Sequence, residues 1–257
     1  MKAVGLAVVA AIVACGATEV NWVQTARGDD DTHMALLQDK SPKTMEHITE
    51  LSEDDLSRSL VIDTSKSFQE ILGFGGAFTE ASAINWRKLS AADQQKVIHL
   101  YFASAEDGGL GYTLGRVPIN SCDFSPASYS FDDVDGDMEL EHFDDDVQHD
   151  VDSGMLPMML AAQALVEARG EKLNVFASPW SPPAWMKFEA WGSQSMVASA
   201  SPNGLMPSMQ RPWAKYFSRF IAAYKKRGID LWGVTVQNEP EAAVGWEACL
   251  WTPAFMA

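Results

Sequence analysis

Apolar residues along the chain form short continuous runs that alternate with longer stretches of helical period. Four runs have the length of a strand: residues 68–74, 111–119, 173–178 and 231–236. Four stretches repeat apolar residues at helical spacing: residues 81–89, 91–102, 158–168 and 212–227. Because strands and helices alternate along the chain, the pattern predicts an α/β fold with a parallel sheet and right-handed crossovers.

Local signals mark the ends of the predicted helices. Ser90 and Asp93 form an approximate capping box before the second helix, and Gly170 ends the third. Pro212 lies in the first turn of the fourth helix, and Gly228 ends it. The fourth helix carries one apolar stripe, made of Trp213, Tyr216, Phe217, Phe220, Ile221 and Tyr224.

The last strand-like run leads directly into the residues Asn238, Glu239 and Pro240. The run is apolar on both parities, which is typical of a strand buried on both faces. Proline cannot donate to a sheet ladder, so Glu239 is predicted at the carboxyl end of this strand. Barrels of the α/β class place their catalytic groups at that end. The alternative is an ordinary polar residue that opens a loop.

Other polar or aromatic residues follow or interrupt the earlier strands. Asp123 lies in the loop after the second strand, and Trp180 lies just past the third, where a rigid aromatic ring suits the apolar face of a sugar. Arg116 lies inside an otherwise apolar strand. Because an unpaired buried charge is costly, we expect Arg116 to face a carboxylate in the interior. The alternative is a side chain whose head reaches solvent.

Charge and motif content narrow the function classes. The net charge of −16 argues against a nucleic-acid-binding protein, which needs basic patches. Residues 73–76 are rich in glycine, but the Lys-Ser/Thr ending of a phosphate loop is missing. Residues 131–152 are strongly acidic without the spacing of a calcium loop, so we predict a solvated acidic loop there. Cys122 and Cys249 have no metal-site spacing and are expected to be free, buried thiols. These motifs predict neither a cofactor nor a metal.

The amino-terminal residues read differently from the rest. Residues 1–17 combine a positive start, a short apolar run and small residues, which predicts a secretory signal peptide. Residues 18–66 show no sustained period, apart from a short strand-like run at 60–63, and are compatible with a small β domain or a flexible extension. Residues 67–257 are predicted to form the first half of a barrel domain, since only four strands are present.

Five separated motifs together resemble glycoside hydrolase family 30, the family of glucosylceramidase (acid β-glucosidase). The motifs are Gly73-Phe74-Gly75-Gly76-Ala77, Arg116-Val117-Pro118, Ser121-Cys122-Asp123-Phe124, Ala177-Ser178-Pro179-Trp180 and Asn238-Glu239-Pro240. The resemblance covers about residue 68 to the end of the chain. It implies a (β/α)8 TIM-barrel glycosidase of which about the first four βα units are present.

The resemblance also implies roles for individual residues. Glu239 matches the family's acid/base glutamate at the end of strand four, and Asp123, Trp180 and Asn238 match residues that line the glucose site. Arg116 matches an arginine that braces the catalytic carboxylates. The family acts on glucosylceramide or other β-glucosides, which implies a substrate presented at a membrane surface. The predicted signal peptide and the acidic charge favour a protein of the secretory pathway that works in the lysosome or outside the cell.

The chain departs from the family pattern in one large respect. The family's nucleophile is a second glutamate at the end of strand seven, and the sequence ends within the fourth unit. We therefore expect this polypeptide alone to be inactive or nearly so as a hydrolase. A non-catalytic glycan- or glycolipid-binding fragment, or a pseudoenzyme, is the alternative to an enzyme. The resemblance leaves the oligomeric state open.

Overall fold

The structure is a computed structural model that describes residues 65–256, together with residues 19–20, 23–27, 34–39, 43–44, 54 and 57. The chain divides into two compact units, Met1–Ile71 and Leu72–Ala257. The predicted signal peptide and the strand-like run at 60–63 lie outside the described residues. None of the described helices has the length and apolarity needed to cross a membrane.

The described residues of the first unit form two short antiparallel strand pairs. Strand β1 (Glu19–Val20) pairs with β4 (Lys43–Thr44), and β2 (Val23–Arg27) pairs with β3 (Met34–Asp39). These strands lie in residues 18–66, for which the sequence was compatible with either a small β domain or a flexible extension.

The second unit is built on a four-stranded parallel sheet in the order β5-β6-β7-β8. The strands are β5 (Gly75–Ala77), β6 (Leu114–Ile119), β7 (Asn174–Pro179) and β8 (Gly233–Val234). The helices are α1 (Glu80–Arg87), α2 (Ala91–Phe102), α3 (Gln148–Ser153), α4 (Met155–Ala168), α5 (Gln210–Lys226) and α6 (Pro253–Met256), with 3-10 turns at Ala184–Met186 and Pro207–Met209. The predicted parallel α/β arrangement is confirmed.

The first strand starts later than predicted, because glycine rather than the apolar run determines where it pairs. Residues 68–74 form no strand, and β5 begins at Gly75, opposite Leu114 of β6. A Cβ on Gly75 would lie 1.8 Å from the Leu114 carbonyl oxygen, so only glycine allows the two backbones to approach this closely. Apolar side chains just before it, such as Leu72 and Phe74, are exposed among the described residues.

The fourth strand is shorter and more exposed than predicted. Val234 and Val236 are 43% and 49% exposed, so the expectation of a strand buried on both faces is wrong for the described residues. The cause is position, since β8 is an edge of the described sheet and its far side has no neighbouring strand there. Its hydrogen bonds to β7 nevertheless continue beyond the strand, because Thr235 N–H donates to Ala177 O at 2.9 Å and Asn238 N–H to Pro179 O at 2.8 Å.

Helices pack on the sheet largely as the periodicity predicted. Helix α2 has the predicted bounds, and Ser90 Oγ accepts from the Asp93 N–H as the capping box requires. The predicted stripe of α5 supplies its buried residues Trp213, Tyr216, Phe220 and Tyr224, and Gly228 ends that helix with φ 92°.

The acidic segment at 131–152 is only partly the solvated loop that was predicted. It contains the short helix α3, and two of its carboxylates, Asp132 and Asp150, are buried. Several of its exposed acids pair with bases of α5 or of the residue that follows it: Glu139 with Lys215, Asp145 with Arg219, and Asp146 with Lys226 and Arg227. The segment is therefore packed along α5 rather than projecting freely into water.

Candidate active site

The site residues follow three neighbouring strands. Strands β6, β7 and β8 are parallel and in register, so their carboxyl ends lie side by side. Asp123 follows β6, Trp180 follows β7, and Asn238 and Glu239 follow β8. The structure thus places the predicted residues at the carboxyl ends of three adjacent strands, on one side of the sheet.

Arg116 connects the three strands at this edge. Its Nε donates to Ser178 Oγ at 3.2 Å, and its Nη2 donates to Asn238 Oδ1 at 2.7 Å. Its guanidinium carbon lies 4.5 Å from the centre of the Trp180 ring, a cation–π contact. Burial lowers the pKa of Arg116, and the nearby Cys122, Glu239 and Asp123 oppose that shift.

The prediction that Arg116 faces a carboxylate needs a correction in detail. Glu239 and Asp123 act on it electrostatically, but no carboxylate among the described residues forms an ion pair with it. Its direct partners are a hydroxyl, an amide and an aromatic face. The reason is geometric, because a strand residue reaches across to the ends of adjacent strands, where Ser178 and Asn238 lie. The alternative was a head that reaches solvent; the side chain is partly exposed, and its guanidinium contacts Ser178, Asn238 and the Trp180 ring.

Glu239 adopts a conformation that is unusual for its residue type. Its φ of 44° lies in the left-handed region, and its side chain is exposed at the end of the β8 segment. Left-handed backbone at a non-glycine residue costs on the order of 1–3 kcal/mol and is found preferentially at functional sites. Hydrogen bonds on either side maintain it, from Asn238 N–H to Pro179 O and from Ala242 N–H to Glu239 O at 2.9 Å. The backbone therefore turns sharply at the residue that carries the candidate carboxylate.

The sequence profile of the Glycosyl hydrolase family 30 TIM-barrel domain matches residues 71–256. The chain belongs to glycosyl hydrolase family 30.

Known proteins and solved structures are similar to this family 30 chain. It is 40% identical over 186 residues to Putative glucosylceramidase 4 of Caenorhabditis elegans, covering 71% of the chain and 33% of that protein. It is 34% identical over 188 residues to Lysosomal acid glucosylceramidase of Mus musculus, covering 72% and 34%. The crystal structure of SrfJ from Salmonella typhimurium superposes with a TM-score of 0.63 at 32% identity, covering 73% of the chain and 38% of SrfJ. The chain thus spans about one third of the length of the curated relatives it matches.

Gln237 bonds residues of the candidate site, and sequence reasoning did not identify it. It is buried, and its Nε2 donates to the carbonyl oxygens of Trp180 at 2.8 Å and Asn238 at 3.0 Å. Its Oε1 accepts from Trp251 Nε1 at 3.2 Å. A polar residue at the end of an otherwise apolar strand was the available signal, but its partners are distant in sequence.

Asn120 performs a similar task at the ends of β6 and β7. It is fully buried, has φ 66°, and donates from Nδ2 to Ser181 O at 3.0 Å. Its Oδ1 accepts from the Tyr216 hydroxyl of α5, which in turn accepts from the Phe131 N–H at 2.7 Å. The loop that carries Asp123 is therefore bonded to the loop that carries Trp180.

The exposure of the predicted sugar-binding residues is unequal. Asp123 is exposed in its loop, whereas Trp180 is only 9% exposed and has the Arg116 guanidinium over its ring. The covered face of Trp180 is not free for stacking, so any ligand contact involves the remaining part of the ring. Asn238 has its Oδ1 engaged by Arg116, which leaves its Nδ2 as the group available to a ligand.

The two cysteines are free and buried, as predicted. Burial raises the pKa of Cys122 and of Cys249 to about 11 in each case, so both are neutral thiols at physiological pH. Cys122 lies beside Asp123, and its sulfur accepts from the Phe124 N–H at 3.4 Å. This contact helps to shape the loop after β6 and gives the thiol no role as a nucleophile.

Proposed function

We propose that this chain is the amino-terminal part of a retaining β-glucosidase that hydrolyses glucosylceramide to glucose and ceramide, a step of sphingolipid breakdown. The observation that carries the proposal is the arrangement at the ends of β6 to β8. Arg116 orients Asn238 and covers Trp180, next to a carboxylate, Glu239, on a sharply turned backbone. Family membership and the names of the relatives support a β-glucoside as the substrate.

In this proposal Glu239 is the acid/base. It donates a proton to the glycosidic oxygen as the bond to the aglycone breaks, and it then takes a proton from the water that releases glucose. Because it is exposed at the mouth of the site, Glu239 can reach both the leaving group and water. Arg116 lies close enough to stabilise the carboxylate form that exists between the two steps.

Substrate binding in this proposal involves three further residues. Asn238 Nδ2 and the Asp123 carboxylate bind sugar hydroxyls, and the uncovered part of the Trp180 ring contacts the sugar. Gln237 and Asn120 keep these residues in place through the backbone.

The nucleophile is not among the residues of this chain. Retaining hydrolysis needs two carboxyls about 5–5.5 Å apart, and the resemblance places the second one on strand seven. We therefore propose that these 257 residues alone hydrolyse no glucoside and that the full-length protein supplies the nucleophile. Its substrate lies in a membrane, and we propose that the protein meets it in the lysosome or outside the cell after entry into the secretory pathway.

The test is hydrolysis of glucosylceramide by the full-length protein and its Glu239→Gln variant. General acid/base work contributes roughly 10²–10⁴-fold, so turnover of glucosylceramide should fall within that range. The first step on an aryl glucoside with a good leaving group should fall much less, because that group needs little protonation. Equal losses on both substrates, with the first step isolated, would contradict the assignment. Sugar binding without turnover in the full-length protein would favour a binding protein instead.

A further inference from the structure

Lys187 is a fully buried lysine located where the segments after β7 and β8 meet. Its side chain is 0% exposed, and its ammonium donates to three carbonyl oxygens, those of Met196 at 2.9 Å, Ala198 at 2.7 Å and Ala248 at 2.7 Å. The ammonium thus uses all three of its donors. Burial lowers the pKa of Lys187 to about 8, and the nearby Cys249 and Glu247 oppose that shift, so the group is protonated at neutral and acidic pH.

The three carbonyls belong to two segments that also pair through their backbones. We call residues 187–205 and 245–251 together the rim. Within it, Ala198 N–H donates to Trp246 O at 2.8 Å and Ala248 N–H donates to Met196 O at 3.2 Å. Gly204 N–H donates to Leu250 O at 2.8 Å. Lys187 bonds both segments of this pairing, and the three carbonyl oxygens take the place of the carboxylate that a buried ammonium usually requires.

The rim is bonded to the candidate active site on two sides. Trp251 donates from its backbone to Pro240 O at 2.9 Å and from Nε1 to Gln237 Oε1, and Gln237 bonds the carbonyls of Trp180 and Asn238. Glu247 accepts from Ser128 Oγ, in the loop after β6, at 2.7 Å. The rim is therefore joined by hydrogen bonds to the residues of the candidate site.

The rim carries three exposed aromatic side chains. Trp191 is 81% exposed, and Phe188 and Trp246 are each 42% exposed. Trp191 stands in a tight turn, in which Ala190 N–H donates to Ser193 O at 3.0 Å. Large apolar side chains that are exposed on segments bordering a binding site are typical of surfaces that contact an apolar ligand.

We propose that Lys187 is a positioning residue that holds the rim in a fixed arrangement, so that Phe188, Trp191 and Trp246 contact the apolar aglycone of a glucoside bound at Asn238 and Glu239. This inference rests on the proposed function, whose substrate carries alkyl chains in its aglycone, and it assigns residues of this chain to that part of the substrate.

The identity of the residue follows from the three carbonyls. An apolar side chain of similar length, as in Lys187→Met, avoids burying a charge but leaves the buried carbonyl oxygens of Ala198 and Ala248 without a donor, while Met196 O keeps only the Ala248 N–H. We expect these carbonyls to turn toward water and the two segments to separate. The sheet ends, which are held by Arg116, Asn120 and Gln237, keep their arrangement because their hydrogen bonds do not involve Lys187.

The experiment compares two glucosides that differ only in the aglycone, methyl β-glucoside and octyl β-glucoside below its micelle concentration, titrated calorimetrically into the full-length protein. The wild type should bind the octyl compound at least about 10-fold more tightly, because burying even a few methylenes is worth this much. Lys187→Met should lose most of that preference while its affinity for methyl β-glucoside stays within about 2-fold. Lys172→Met, at an exposed lysine before β7, is the matched control and should change neither affinity.

Two further measurements keep the outcome decisive. Trp191→Ala and Trp246→Ala leave Lys187 in place and should each reduce the preference for the octyl compound. Amide hydrogen exchange at Ala198 and Ala248 should accelerate in Lys187→Met, with little change in β6 and β7. A wild type that binds methyl β-glucoside without preferring octyl, or a Lys187→Met that weakens both ligands equally, would overturn the inference alone. A wild type that binds neither glucoside would overturn the proposed function and the inference with it.

Discussion

The buried carboxyl of Asp150 should make the stability of the folded protein depend on pH. Asp150 is fully buried in α3 and accepts hydrogen bonds from the hydroxyls of Tyr129, at 3.0 Å, and of Tyr224. The other titratable groups that face it are His149 and Glu80, which bond each other at 2.7 Å. Burial raises the pKa of Asp150 to about 7; the two tyrosines and His149 oppose that shift, and Glu80 adds to it.

The direction of the effect follows from the two states. An unfolded aspartate releases its proton near pH 3.8, whereas the folded protein keeps it until about pH 7. Below the lower value the group has no effect, and between the two values each increase in pH favours unfolding. This difference between the pKa values of Asp150 in the unfolded and folded protein lowers the free energy of unfolding by at most about 4 kcal/mol between pH 4 and pH 7. Asp132, whose pKa burial raises to about 6, contributes in the same direction.

The perturbation is Asp150→Asn, which keeps the shape but cannot ionise; its oxygen accepts from one tyrosine hydroxyl and its NH2 can donate to the other hydroxyl oxygen. We expect the free energy of unfolding in urea to fall from about pH 4.5 to pH 7.5 in the full-length wild-type protein, and to fall by a few kcal/mol less in the variant. Asp135→Asn, at an exposed position of the same acidic segment, should leave the wild-type pH dependence unchanged. Identical pH profiles for wild type and Asp150→Asn would refute the reasoning, because the buried group would then carry no linked proton.

Three other changes test separate parts of the structure. Gly75→Ala should destabilise the protein by on the order of 1–3 kcal/mol in urea unfolding, because the new Cβ would meet the Leu114 carbonyl group. The control is Gly233→Ala, whose Cβ would meet nothing within 4 Å and which should be nearly neutral. Similar effects of the two substitutions would contradict the close approach of β5 and β6. Arg116→Lys keeps the charge, but the lysine cannot contact Ser178, Asn238 and the Trp180 ring together. The affinity for a glucoside should therefore fall at least about 10-fold with little change in melting temperature. An unchanged affinity would show that Arg116 does not contribute to glucoside binding. Iodoacetamide should label Cys122 and Cys249 in urea but not in the native protein, as read by peptide mass spectrometry, and native labelling would contradict their burial.

The parts of the fold that were predictable are those in which local pattern and tertiary environment agree. Helix α2 begins at Ala91, directly after its predicted cap Ser90, and α5 buries most of its aromatic stripe, because amphipathic period and capping are properties of residues close together in sequence. The beginning of β5 was misplaced because the apolar run at 68–74 resembles a strand, whereas pairing depends on the absence of a side chain at Gly75. The exposure of β8 was missed because it depends on which elements lie beside the strand and not on the strand itself.

The candidate site was predictable in its residues but not in its contacts. Asp123, Trp180, Asn238 and Glu239 were identified because each follows a strand, and parallel strands bring such residues together. The partners of Arg116 were not predicted, since a hydroxyl and an amide stabilise a guanidinium as well as a carboxylate does and no pattern distinguishes them. Gln237 and Lys187 bond carbonyl groups, which every residue has, so their partners emerge only from the folded chain.

The central claim, that Glu239 is the acid/base of a retaining β-glucosidase, is tested most directly by azide rescue of Glu239→Ala in the full-length protein. On an aryl β-glucoside with a good leaving group, the variant should still form the glucosyl–enzyme bond, but water, lacking its base, should attack slowly. Azide needs no base and fits the space left by the side chain, so it should restore turnover and release β-glucosyl azide, with the configuration retained. Formation of α-glucosyl azide would make Glu239 the nucleophile. The absence of rescue, with the aryl glucoside hydrolysed as fast as by the wild type, would show that Glu239 takes no part in the reaction.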